Sequence, residues 1–220
     1  MKFTVFGAGA IGAYLGGKLS LAGNEVTLVA RGPHLNAMRK NGLIIKELGT
    51  ELLAQPKFCE TLDGNGSLGC LILGVKAYSL TEIAPLLASK LDRETIIIPA
   101  QNGIPWWYFD SYGGPLEGTR LNSVDPGGVI ASHIPSGQIL GCVVFPAVEM
   151  VAPGIIQHIE GDRFSLGELD GSISDRLRLV SRTISSAGLR APVRSNIRQD
   201  IWVKLLGNLA FNPISALTKV

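Results

Sequence analysis

Apolar positions along this chain alternate between two rhythms. Lys2–Phe6 is a short strand-type run, after which Ile11, Leu15, Leu19 and Ala22 recur at helical spacing. Gly23 then stands where a helix C-terminal cap falls. Glu25–Ala30 predicts a second strand and His34–Lys40 a short helix. Leu68–Val75 is a continuous apolar run, the mark of a strand buried on both faces of a parallel sheet. A helix is expected between Ser79 and Leu91, with Pro85 in its middle, and a strand at Thr95–Pro99. This order implies right-handed βαβ crossovers and an α/β fold with a doubly wound, mostly parallel sheet.

From Gly127 onward the pattern changes to short strand-type runs: Val129–His133, Cys142–Val148, Ile155–Ile159 and Arg163–Leu166. Ser172, with Asp175 three residues on, matches a capping box. Ile173, Leu177, Val180 and Ile184 share one helical face, and Gly188 ends that helix. A last helix is expected from about Asn196 to Phe211.

Composition narrows the classes. Hydrophobic residues make up 46% and charged residues 17%, which is globular rather than disordered. The net charge of +2 comes with no dense basic run, which argues against nucleic acid and against a polybasic membrane anchor. Cys59, Cys70 and Cys142 share no CxxC spacing, so no metal site or disulfide framework is expected and a reducing, cytoplasmic setting fits. Lys2 and the apolar stretch after it imitate a signal peptide, but five glycines by Gly17 and then Lys18 break the apolar core. No segment holds eighteen uninterrupted apolar residues, so no membrane span is expected. Glycine stands out at 27 of 220 residues, about 12% against a usual ~7%. In so apolar a chain that points to close backbone approaches.

The most informative of these glycines lie in Gly7-Ala8-Gly9-Ala10-Ile11-Gly12, a GxGxxG placed between a strand and a helix. Gly7 permits the tight turn, Gly9 lets backbone approach a pyrophosphate, and Gly12 lets helix and sheet pack closely. The helix start beyond them offers free N–H groups and a positive dipole end to phosphates, as in a Rossmann dinucleotide site. At the end of the second strand, Val29-Ala30-Arg31-Gly32 lacks the carboxylate that selects an unphosphorylated ribose. Arg31 instead offers a guanidinium to a 2′-phosphate, which favours NADP, although a solvated surface arginine is the plain alternative.

Two further motifs sit just past strand ends, where such sheets place ligands: Val75-Lys76-Ala77 and Gln101-Asn102-Gly103. Alone, Lys76 reads equally well as an exposed loop residue and Asn102-Gly103 as an ordinary turn. The last helix is mostly apolar, yet its polar residues fall at Lys204, Asn208 and Asn212. At 100° per residue they occupy an ~80° sector and climb about 6 Å per step. Such a strip is either a hydrogen-bonded structural seam, with Lys204 turned to solvent, or a cavity wall with one acid and two orienting amides. Pro213 disfavours helical geometry at Asn212, so a kink or helix end is expected there.

Taken in order, the glycine motif, Arg31, V-K-A, Q-N-G and W-x-K-L-x-x-N-x-x-x-N make the chain resemble the ketopantoate reductase (2-dehydropantoate 2-reductase) family. Pro153–His158 and Leu166-Gly167-Glu168 extend the likeness. The resemblance implies a Rossmann domain over residues 1–194 and, over 195–220, the first helix of an all-helical domain. Further helices, carrying a glutamate and a serine, are expected beyond it in that family. The implied activity is reduction of ketopantoate to pantoate with NADPH, on the route to pantothenate and coenzyme A. By position, Gly7, Ala8, Gly9, Ala10, Ile11 and Gly12 would bind the pyrophosphate and Arg31 the 2′-phosphate. Lys76 would lie by the nicotinamide end, Asn102 would meet cofactor and substrate, and Ala147 loosely matches a cofactor-contacting backbone position. Lys204 matches the catalytic lysine, stabilising negative charge on the carbonyl oxygen and giving up a proton from its ordinary ammonium form. Asn208 and Asn212 match substrate-binding asparagines. Other readings stay open: a paralogous reductase of another 2-keto acid, or an NADPH-binding sensor or inactive truncated remnant that holds the cofactor without chemistry. A homodimer is one way to cover the apolar surface of the last helix.

Overall fold

The computed structural model describes residues 1–62 and 67–219. Five parallel strands form the central sheet: β1 (Lys2–Phe6), β2 (Glu25–Val29), β5 (Lys57–Cys59), β6 (Cys70–Leu73) and β7 (Ile96–Pro99). Their order, β5-β2-β1-β6-β7, reverses direction at β1, which makes the β1/β6 edge a topological switch point. A second sheet, β4-β3-β10-β9, joins β3 (Leu43–Glu47) and β4 (Thr50–Ala54) to β9 (Ala147–Ala152) and β10 (Ile155–Glu160). A third pairs β8 (Leu140–Val144) with β11 (Phe164–Glu168), antiparallel.

Helices fill the spaces between: α1 (Ala10–Leu21), α2 (Gly32–Asn41), α3 (Leu80–Ala88), α4 (Val129–His133), α5 (Asp175–Ser186) and α6 (Ile197–Thr218). Central strands are buried on both faces, as their unbroken apolar runs predict. Phe3, Val5, Cys70, Ile72 and Ile98 belong to one core with α1 and α5. The alternating residues Leu71, Leu73 and Ile97 belong to a second core with α3, α4 and the first turns of α6. Among the described residues no helix is long and apolar enough to cross a membrane.

Helix α1 lies between the first two sheets, which explains its glycine content. A Cβ on Gly16 would reach 2.5 Å from Leu28 in the central sheet, and one on Gly17 would reach 2.6 Å from Ile45 in the second. Polar ties reinforce the packing: Tyr14 donates to Glu47 Oε1 at 2.6 Å and Lys18 Nζ to Glu47 Oε2 at 2.7 Å.

Several expectations need correction. Val129–His133 is a helix, not a strand, because buried Asp125 accepts from the amides of Ile130 and Ala131 at 2.8 and 3.0 Å and caps its first turn. The run Cys142–Val148 is split between β8 and β9, whose outer partners are different strands. Ser174, not Ser172, caps α5, its hydroxyl accepting from Leu177 N at 3.1 Å. Ser172 instead donates its own amide to Asp170 at 2.9 Å. Helix α6 runs through Pro213 to Thr218. Proline removes one N–H and frees one carbonyl, and the distal turns of α6 are exposed, so water can serve that carbonyl.

Substitution Gly12→Ala would place a Cβ 2.3 Å from the Gly7 carbonyl oxygen, a backbone atom with little room to yield. It is expected to cost about 1–3 kcal/mol of stability, read as a lowered midpoint in urea unfolding. An unchanged midpoint would show that this contact does not constrain the fold.

Candidate active site

The cleft begins where β1 ends. Gly7 adopts φ +96° and closes on β6, since a Cβ there would lie 2.5 Å from Val75 Cγ1. Gly9 is the N-cap of α1 and no side chain caps that helix, so its first-turn amides have no partner within the helix. A Cβ on Gly9 would meet no protein atom within 4 Å. The space above it is open.

Gly9, Ala10 and Ile11 form one wall of an open cleft of about 590 Å³ at the C-terminal ends of β1, β6 and β7. Lys76, Asn102, Ala147 and Lys204 line the same cleft, so four further predicted residues from separate stretches of chain converge there. Gln101 adds a group that the sequence reading did not assign. Its Nε2 donates to the carbonyls of Leu73 at 2.7 Å and Val75 at 3.1 Å, tying the ends of β6 and β7 together. That geometry fixes the amide orientation, and it leaves Oε1 buried without a protein partner, an acceptor for a ligand N–H or O–H.

Lys204 reaches the cleft from α6. The helix starts on a flat seat, the paired glycines Gly141 and Gly167 of β8 and β11. A Cβ on either would come within 3.0 Å of Ile197. The Lys204 ammonium donates to Asn102 Oδ1 at 2.6 Å and to the Val144 carbonyl. It also lies 5.6 Å from the Phe145 ring centroid. Burial lowers its pKa from the ordinary lysine value, opposed by the nearby Cys142 thiol. Val144 and Phe145 were invisible to motif reading because one acts through its carbonyl and the other through a ring face.

Asn208 lies one turn above Lys204 and lines a smaller enclosed pocket of about 30 Å³ that also touches Asn102 and Lys204. Asn212 is exposed and lines neither space. Arg31 is exposed at the end of β2, as N-cap of α2, outside the cleft lining.

A glycine-floored cleft at the switch point of a parallel sheet, lined also by a lysine ammonium, is the arrangement of a Rossmann-type dinucleotide fold. Residues 3–105 match the family described as Ketopantoate reductase PanE/ApbA. A 2-dehydropantoate 2-reductase of Mesorhizobium japonicum is 52% identical over 219 residues, covering 99% of this chain and 67% of that protein. The chain belongs to the ketopantoate reductase family. A 2-dehydropantoate 2-reductase of Pyrococcus horikoshii is 30% identical, and the chain spans 65% of its length. A crystal structure from Ralstonia solanacearum MolK2, described as a ketopantoate reductase, superposes with a TM-score of 0.93 at 40% identity. It covers all of this chain and 68% of the other. D-mandelate dehydrogenase with NADH and anilino(oxo)acetate shares the fold, with a TM-score of 0.82 at 22% identity over 65% of its chain.

Because a Cβ at position 9 meets nothing in the protein, Gly9→Ala should leave thermal stability nearly unchanged while weakening binding of a nicotinamide dinucleotide at least about tenfold, the steric effect expected where phosphates approach a glycine floor. Calorimetric titration beside a melting curve checks both halves. Binding that survives intact would place the phosphates elsewhere.

Proposed function

We propose that the chain acts as an NADPH-dependent 2-dehydropantoate (ketopantoate) 2-reductase, forming pantoate on the route to pantothenate and coenzyme A. The observation that carries the reading is Lys204 Nζ held 2.6 Å from Asn102 Oδ1, on the cleft floored by Gly9, Ala10 and Ile11. The uncapped start of α1, its open glycine floor and the orphaned Gln101 Oε1 fit a dinucleotide whose phosphates take backbone N–H groups and whose carboxamide offers N–H donors. Bound there, the cofactor supplies a hydride.

The chain's own residues do the rest. An ammonium has three N–H bonds; two point to Asn102 and Val144, which leaves one for a carbonyl oxygen of the substrate. As the carbonyl carbon gains hydride, negative charge grows on that oxygen. Lys204 stabilises it and then passes a proton to it, so the ketone becomes a secondary alcohol and the neutral amine is reprotonated from solvent. Asn208, one turn on, is positioned to orient the substrate, and Asn212 extends that strip on the same helix. Arg31 holds the 2′-phosphate from the end of β2, in a stretch, Val29–Gly32, that carries no carboxylate of its own. Residues 195–220 begin a second, helical unit; the exposed Leu206, Leu209, Phe211, Ile214 and Leu217 of α6 support that division, and Val220 lies outside the described residues.

Lys204→Ala should lower kcat at least about 100-fold while leaving NADPH binding largely intact. In the unaltered protein kcat should fall as pH rises, because the acid must carry its proton. Burial lowers the Lys204 pKa, so the fall should come below the ordinary value of 10.5. Unchanged turnover in the alanine variant would remove Lys204 from the chemistry. Arg31→Ala should cut the preference for NADPH over NADH by at least about tenfold, measured as a ratio of kcat/KM values. An unaltered ratio would contradict the assignment of the 2′-phosphate.

A further inference from the structure

Only the first turns of α6 are packed: Ile197 and Ile201 are buried, while Trp202, Val203 and Leu206 are largely exposed. Two apolar side chains on a flat glycine seat hold a helix against the sheet but do not fix its roll about its own axis. The roll matters. Turning a helix by about 20° moves side-chain atoms ~5–6 Å from its axis by about 2 Å. That is enough to separate the Lys204 ammonium from Asn102.

Arg198 supplies the missing constraint. Its Nε donates to the Tyr108 carbonyl at 2.7 Å, its Nη2 to the Asp110 carbonyl at 2.6 Å, and its Nη1 to the Leu169 carbonyl at 2.6 Å. A guanidinium is planar with donors in a fixed fork. It can satisfy three carbonyls from two separate segments only in a narrow range of orientations. One turn on, the Trp202 indole N–H donates to the Tyr108 hydroxyl at 2.8 Å, so α6 grips that tyrosine by its backbone and by its ring. Tyr108 lies six residues after Asn102, in the segment that carries the lysine's partner.

We infer that Arg198 is a positioning residue: by tying α6 to the carbonyls of residues 108, 110 and 169, it sets the helix orientation in which Lys204 meets Asn102. The bonds are not those of a surface ion pair. Arg198 is half-buried against the faces of Tyr108 and Tyr112, 5.8 and 5.3 Å away, and the Asp110 carboxylate pairs with Arg120 instead. Burying a cation against carbonyls is a costly way to gain stability alone. It is an effective way to gain direction.

This inference rests on Lys204 being the proton donor, so its test keeps a readout independent of turnover. Arg198→Ala and Arg198→Lys are made in the whole protein, and folding is confirmed by circular dichroism and NADPH binding. Lysine acylation is then followed against pH by mass spectrometry, with exposed Lys40 as internal reference. Among the described residues, Cys142 on β8 is the titratable group that acts on Lys204, and its thiol, pushed up to about 12 by burial, stays neutral through most of the range. In Arg198→Ala the Lys204 midpoint should rise toward the ordinary lysine value of 10.5 as the ammonium rehydrates. The kcat should fall about 100-fold, as an ångström of misplacement can cost, with the KM for the keto acid and the affinity for NADPH within about threefold. Arg198→Lys, which cannot reproduce the fork, should fall between.

A purely structural role would lower the melting temperature and leave the Lys204 midpoint and kcat of the folded protein unchanged, which would overturn the inference. Should Arg198→Ala fail to fold, Trp202→Phe removes only the indole hydrogen bond and should shift the midpoint the same way, to a smaller extent; no shift in it or in Arg198→Lys counts against the inference. Absence of keto acid reduction by the unaltered protein would sink the reductase reading, while the acylation midpoints would still decide the role of Arg198.

Discussion

One carbonyl oxygen organises the site. The oxygen of Gly7 lies where a Cβ on residue 12 would approach to 2.3 Å and a Cβ on residue 74 to 2.4 Å. Three glycines therefore bring the end of β1, the first turn of α1 and the end of β6 together with nothing but backbone between them. That approach tightens the turn at the switch point of the sheet and aims the uncapped start of α1 into the cleft. It also sets the chain leaving β6, with Lys76, beside the chain leaving β7, with Asn102. The Gln101 amide closes the same junction from the other side by binding both Leu73 and Val75.

Against this rigid floor the lysine arrives from a separate element. Its seat, the facing glycines of β8 and β11, repeats the device used at the switch point: side chains are omitted so that a helix can come close. The consequence is electrostatic as well as steric. Lys204 is drawn far enough from water for its pKa to fall, yet two carbonyl oxygens still meet its protons. A half-buried ammonium with a spare N–H is suited to meeting a charge that appears only as a carbonyl is reduced.

Much of this was legible in the sequence, for physical reasons. The first βαβ unit carries both of its signals, a glycine pattern with steric meaning and an apolar run too continuous for a half-exposed strand. The polar strip of the last helix was legible because Lys204 and Asn208 interrupt an otherwise apolar stretch. In the second sheet the run Ile155–Ile159 announced β10, but β3 and β4 gave no signal. Those two strands turn through Leu48 and Gly49, and Leu48 takes a positive φ of 49° that its residue type does not announce. Helix α4 was misread because Val129-Ile130-Ala131 is as apolar as a strand, while the group that makes it helical, the Asp125 carboxylate, stands four residues earlier. Arg198 gave no signal at all, since its partners are backbone carbonyls that any residue could supply. Asn212 is the exposed end of that strip. Periodicity aligned it with Lys204 and Asn208, but nothing in spacing told that the packed part of α6 stops before it.

The proposed reductase chemistry depends on a dinucleotide crossing the open glycine floor toward Lys204. The most direct measurement is a crystal structure of the protein with NADP⁺ and a non-reducible 2-keto acid analogue. Pyrophosphate oxygens within hydrogen-bond distance of the amides at the start of α1, with the Lys204 ammonium against the analogue's carbonyl oxygen, are the predicted result. A dinucleotide bound away from Gly9, or a Lys204 side chain directed to bulk water in the complex, would contradict it.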